Sequence, residues 1–157
     1  MTTLEVGMQA PAFTLSNQND EVVSSTDFLG QTLVVYFYPK AMTPGCTVQA
    51  CGIRDHKESF KDLATSVVAI SPDASKRLKK FEDKESLNFT LLSDEEHETA
   101  ERYGAWGLKK FMGKEYMGIL RSTFIIDPEG KIAHIMSKVK TKTHDQDVID
   151  WISNNLK

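Results

Sequence analysis

Thr32-Leu33-Val34-Val35-Tyr36-Phe37-Tyr38-Pro39-Lys40-Ala41-Met42-Thr43-Pro44-Gly45-Cys46-Thr47-Val48-Gln49-Ala50-Cys51 carries an apolar run into a helical pattern. From Thr32 to Tyr38 the residues are, Leu33 apart, β-branched or aromatic, with no polar alternation after the first, as a strand covered on both faces requires. Beyond Pro39 the pattern predicts a helix from about Pro44 to Leu63, with Ala50, Ile53, Phe60 and Ala64 on one face. A buried strand that leads through a loop into a helix is the unit of an α/β sheet, and such sheets place their chemistry at the carboxyl ends of strands. The Pro39–Thr43 loop lies at such an end.

Working outward, Phe13 to Phe28 reads as two short extended pieces around the turn-prone Ser16–Asp20, a β-hairpin ahead of the main fold. Downstream, Ser66 to Ser71 is a strand, Asp73 can cap a helix to about Glu85, and Thr90 to Leu92 is a short strand. Asp94 can cap a further helix to about Tyr103, which Gly104 stops. Gly104, Gly107, Gly113 and Gly118 punctuate what reads as a loop. Ser122 to Ile126 and Ile132 to Met136 flank Asp127-Pro128-Glu129-Gly130 as a hairpin, and Asp145 to Asn154 closes as a helix. Strands alternating with helices predict an α/β sheet with helices on both faces, to which the late hairpin adds antiparallel edges.

The 157 residues, 40% hydrophobic and without repeats or linkers, predict one domain over 1–157. Nineteen basic against 22 acidic residues give a net charge of −3, so neither nucleic acid nor a membrane surface is the expected partner. The longest apolar run has six residues, against the roughly 20 of a membrane helix. No basic residue precedes Lys40, so a charged leader is absent and the cytoplasm is the expected address. In a reducing compartment a close pair of cysteines is more often catalytic, redox-sensing or metal-binding than structural.

Thr43 suits an N-cap and Pro44 the first helical position, which sets Cys46 in the first turn, where free N–H groups and the helix dipole favour a thiolate. Such ionisation is what makes a thiol nucleophilic at neutral pH. Cys51 follows five residues later. On an ideal helix that puts the Cα atoms roughly 8.6 Å apart, whereas a disulfide tolerates about 7 Å. The two thiols can therefore join only if the first turns unwind. Gly52 costs the helix about 1 kcal/mol relative to alanine at that point.

His56, His97, His134 and His144 show no zinc-ligand spacing and read as surface or core residues. No Gly-x-Gly-x-x-Gly or P-loop pattern indicates a nucleotide. The spacing of Cys46 and Cys51 also differs from the Cys-x-x-Cys of a thioredoxin-type reductase.

Pro39-x-x-x-Thr43-x-x-Cys46 resembles the peroxiredoxin signature, and Tyr36–Asp55, Asn88–Asp94 and Phe111–Lys114 resemble the bacterioferritin comigratory protein, or peroxiredoxin Q, branch. The resemblance implies a thioredoxin-like fold with an N-terminal β-hairpin extension and a mixed central sheet flanked by helices. It implies Cys46 as the peroxidatic cysteine and Cys51 as the resolving one. Thr43 would hydrogen-bond peroxide and sulfur, Pro39 would shield the pocket, and Arg121 would be the distal arginine that holds thiolate and developing oxyanion. The implied reaction reduces hydrogen peroxide or an organic hydroperoxide through a sulfenic acid and an intramolecular disulfide. Thioredoxin would recycle the disulfide, neither metal nor flavin would be needed, and the chain would be a monomer. The second reading is a redox sensor that uses the same disulfide to alter a partner contact; the third is general thiol–disulfide exchange.

Overall fold

A computed structural model describes residues 4–156. The apolar run forms β3 (Thr32–Phe37), buried at every position. Its even residues Val34 and Tyr36 face one core cluster and its odd residues Leu33, Val35 and Phe37 the other, so the period of two divides an all-apolar strand between both faces of the sheet. At about 1.5–3 kcal/mol for each large apolar side chain removed from water, this strand is the main apolar anchor of the fold.

β3 runs parallel to β4 (Thr65–Ser71), which runs parallel to β5 (Thr90–Ser93). On its other side β3 pairs antiparallel with β8 (Ser122–Ile126), which pairs antiparallel with β9 (Ile132–Met136). The hairpin of β1 (Thr14–Asn17) and β2 (Val22–Ser24) completes a seven-stranded mixed sheet in the order β2-β1-β5-β4-β3-β8-β9. Residues of α1 (Pro44–Asp55), α2 (Lys57–Asp62), α3 (Ser75–Glu85) and α5 (His144–Asn155) pack in the cluster of Val34 and Tyr36, while α4 (Glu98–Arg102) packs in the other. Helices thus cover both faces, as the alternation predicts.

Five details differ from the sequence expectations. The first hairpin forms as expected and extends the main sheet at its edge, where β1 pairs with β5, but the segment's last residues Ser25–Phe28 form a 3-10 helix under a Ser24–Asp27 capping box. The long helix from Pro44 breaks at His56 (φ −107°, ψ 23°) into α1 and α2. Asp73 does not cap α3; its carboxylate accepts from the Ala41 amide and the Ser71 hydroxyl, both at 2.8 Å, and pairs with Arg77. Asp94 accepts from the Thr99 and Ala100 amides, but the capping position of α4 is His97. The glycine-punctuated segment is a two-stranded ribbon, β6 (Trp106–Phe111) and β7 (Lys114–Ile119), turned by Met112 (φ 51°) and Gly113 (φ 79°). Positive φ at both central residues is the signature of a type I′ hairpin turn.

The Asp73 clamp matters to the loop that follows β3. Arg77 donates to the Ala41 carbonyl at 2.9 Å while Asp73 accepts from the Ala41 amide, so both backbone groups of one loop residue are held by side chains. Replacing Asp73 with Ala orphans a buried N–H, and urea denaturation is expected to show a loss of about 1–3 kcal/mol. An unchanged unfolding midpoint would show that the clamp does not hold this loop.

Candidate functional site

The loop after β3 ends at Thr43, which takes the N-cap position of α1 with extended backbone (φ −85°, ψ 155°) and Pro44 next to it. The Thr43 side chain makes no cap; its hydroxyl donates to the Lys40 carbonyl at 2.8 Å. That spends the hydroxyl proton and leaves oxygen lone pairs free to accept. Cys46 falls in the first turn of α1, as the sequence predicts, and is buried (2% exposed) in the cluster with Tyr36, Tyr38, Ala50 and Ile53. What reaches this sulfur must be slender.

Arg121 stands immediately before β8 and donates from Nη2 to Cys46 Sγ at 3.2 Å. Its Nη1 donates to Gln49 Oε1. Gln49 Nε2 lies 3.1 Å from His144 Nδ1, and His144 Nε2 lies 2.7 Å from Thr123 Oγ1. A guanidinium has only donors, so the five side chains form one hydrogen-bonded row ending on the sulfur. Arg121 and Thr123 share a face because they are two apart at the start of a strand; Cys46 and Gln49 share one because they are three apart on a helix. A Cβ added to Gly45 would stand 3.7 Å from both Arg121 Nη2 and Thr141 Cγ2, which brackets the first turn of α1 between these two side chains.

Cys51 lies elsewhere. It is half-buried, with Sγ 3.9 Å from Glu85 Oε1, and both cysteines are free thiols. Burial pushes its thiol up; Glu85 and Asp55 add to the rise and Arg54 opposes it. A raised thiol has less of the nucleophilic thiolate form. At the next position, a Cβ on Gly52 would meet Asp145 Cγ at 3.0 Å, so this glycine lets α1 approach the start of α5 closely. His56 Nδ1, 2.8 Å from Asp145 Oδ2 and 3.0 Å from the Gly52 carbonyl, ties the same junction.

The structure therefore gathers Cys46, Thr43 and Arg121 around the start of α1, with half-buried Pro39 just beyond the β3 end. It holds Cys51 apart. Sequence reading missed Gln49, His144 and Thr123. Gln49 carried a signal, being a polar residue on the helix face of Cys46, Ala50 and Ile53; His144 and Thr123 carried none, since only the tertiary fold brings them together. Among the described residues no three His, Cys, Asp or Glu side chains converge as a metal site would require.

The sequence model of the AhpC/TSA family matches residues 6–135. The chain is 51% identical over 155 residues to the peroxiredoxin Bcp of Escherichia coli K12, covering 99% of each, and 45% identical over 152 residues to that of Bacillus subtilis, covering 97% of each. Among solved structures, the Xanthomonas campestris bacterioferritin comigratory protein, described for its alkyl peroxide reduction activity, superposes with a TM-score of 0.90 at 28% identity, over 98% of this chain and all of that one. A Xylella fastidiosa PrxQ mutant gives 0.93 at 24% identity, covering 100% of each chain, which supports the thioredoxin-like peroxiredoxin architecture.

Burial lowers the His144 pKa from 6.5 to about 4, with Arg121 adding to the drop and Asp147 opposing it. The unfolded chain then binds a proton that the folded chain refuses, so folding loses stability as pH falls from about 6.5 towards about 4. The slope attributable to this residue approaches about 1.4 kcal/mol per pH unit. Urea unfolding of a His144→Asn chain is expected to vary less with pH over that interval than the wild type. Parallel curves would show that His144 is not held neutral by the fold.

Proposed function

The chain belongs to the AhpC/TSA family as a peroxiredoxin of the Bcp and PrxQ kind, a thiol peroxidase, and on that premise we propose that Cys46 is its peroxidatic cysteine and Cys51 its resolving one. The observation that carries this is the Arg121 hydrogen bond to Cys46 Sγ at 3.2 Å within the first turn of α1. The thiolate attacks the terminal oxygen of a hydroperoxide. An S–O bond forms as the O–O bond breaks, and the departing oxygen takes a proton from solvent to leave as water or alcohol. Arg121 holds the negative charge as it spreads from sulfur to the two oxygens, with donors already in place. Thr43 accepts from the peroxide O–H, and Pro39 shields the pocket.

Cys51 then attacks the sulfur of the sulfenic acid; an S–S bond forms and water leaves. Because α1 is continuous from Pro44 to Asp55, this step requires its first turns to open. The resulting intramolecular disulfide makes this an atypical two-cysteine enzyme, and exchange with thioredoxin returns both thiols. No metal or flavin takes part. The working unit is one domain over 1–157, monomeric and cytoplasmic; no described helix is long and apolar enough to cross a membrane.

Cys46→Ser is expected to abolish peroxide consumption, and Cys51→Ser to consume one equivalent and then stall with thioredoxin, thioredoxin reductase and NADPH. Full cycling by the Cys51 variant would remove that cysteine from the reaction. Amide exchange is expected to show residues 44–52 protected in the reduced protein and exposed in the disulfide form; equal protection in both would overturn helix opening.

A further inference from the structure

We propose that His144, with its ring proton on Nε2, is a positioning residue that fixes the Gln49 amide and, through it, the Arg121 guanidinium against Cys46. The inference rests on the reading of Cys46 and Arg121 given above, and extends the site to residues outside its motif.

The assignment follows from donor and acceptor inventory. Arg121 can only donate, so the Gln49 atom facing it is the carbonyl oxygen. The Gln49 amide nitrogen then faces His144 Nδ1 at 3.1 Å, and that contact is a hydrogen bond only if Nδ1 offers a lone pair. The ring proton is therefore on Nε2, where it donates to Thr123 Oγ1 at 2.7 Å. A second proton on the ring would set N–H against N–H at Gln49. Turning the amide over would only move that conflict to Arg121. A neutral imidazole is thus the form that satisfies every member of the row, and a half-satisfied buried row is costly.

The surroundings favour that form. His144 is 1% exposed, its ring packed edge-to-face with that of Tyr36 at 5.1 Å between centroids. Of the charged groups that act on it, Asp147 is on its own helix and Arg121 faces it across the site. The consequence for the reaction is geometric. Arginine has a long, rotatable stem, and its Nη2 can wait over the sulfur only if something else holds the fork. Gln49 holds Nη1, His144 holds Gln49, and Thr123 sets the tautomer. Tyr36 and Thr123 are cross-strand partners of β3 and β8, so the row is anchored in the centre of the sheet.

The test is the rate of Cys46 oxidation by hydrogen peroxide, measured by competition with a haem peroxidase, in three substitutions at and beside His144. Asn retains an acceptor where Nδ1 stands, so His144→Asn is expected to react at close to the wild-type rate. His144→Leu fills the space without an acceptor and is expected to react about tenfold more slowly. Packing alone predicts the reverse order, with the apolar variant better. Thr123→Val, which changes shape least, is expected to slow oxidation in the same direction as His144→Leu and keeps the idea testable if the leucine variant does not fold.

Each slowing substitution is then repeated in an Arg121→Leu chain, where its effect is expected to vanish because nothing remains to be positioned. If Arg121→Leu is itself as fast as wild type, the reading of the site fails. If Arg121→Leu is slow but His144→Leu and Thr123→Val are not, or if they slow the Arg121→Leu chain equally, the positioning role is overturned and the site reading stands. Nitrogen NMR of the ring at neutral pH is expected to show Nε2 protonated and Nδ1 bare. The opposite tautomer would overturn the assignment.

Discussion

A single charge-assisted hydrogen bond, Arg121 Nη2 to Cys46 Sγ at 3.2 Å, joins the two halves of the molecule that must cooperate. The sulfur comes from the start of a helix and the guanidinium from the start of a strand, 75 residues later in the chain. What brings them together is the antiparallel register of β3 and β8, in which Phe37 faces Ser122. Continuing that register by one step sets Arg121 opposite Tyr38, beside the loop that leads to Cys46. A slip of one residue would turn Arg121 and Thr123 to the other face of the sheet.

The same helix has to satisfy opposing demands. While intact, α1 presents Cys46 to its donors and keeps Cys51, with its raised thiol, facing Glu85. To form the proposed disulfide, the first turns that carry Cys46 have to open. The Gly52–Asp145 approach and the His56–Asp145 pair hold the C-terminal part of α1 to α5. Separate contacts thus hold the two ends of the helix, the Arg121–Gln49–His144 row at the end that carries Cys46 and the Asp145 contacts at the other.

Much of this was legible in the sequence where local rules decide. The uninterrupted apolar run gave β3, the Thr43-Pro44 pair placed the start of α1, and Cys46 fell in its first turn. The β6–β7 ribbon was not legible, because four glycines outweighed a short alternating pattern whose turn residues, Met112 and Gly113, take an uncommon backbone form. Asp73 carried a cap-like position, yet the Ala41 amide claimed its oxygen instead, whereas Asp94 does accept from the first-turn amides of α4, Thr99 and Ala100, from three residues ahead of the N-cap His97. Arg121 came from family resemblance alone. Gln49, His144 and Thr123 form a row only once α1, α5 and β8 meet, and no window of sequence contains all three.

The bridging role of the guanidinium, as distinct from its charge, is tested most directly by the rate at which hydrogen peroxide oxidises Cys46 in an Arg121→Lys chain. Lysine keeps the positive charge but lacks the fork that reaches Cys46 Sγ and Gln49 Oε1 together. Oxidation is expected to slow by about 10²-fold; a rate equal to that of the wild-type chain would contradict the claim that this two-handed contact prepares the sulfur for attack.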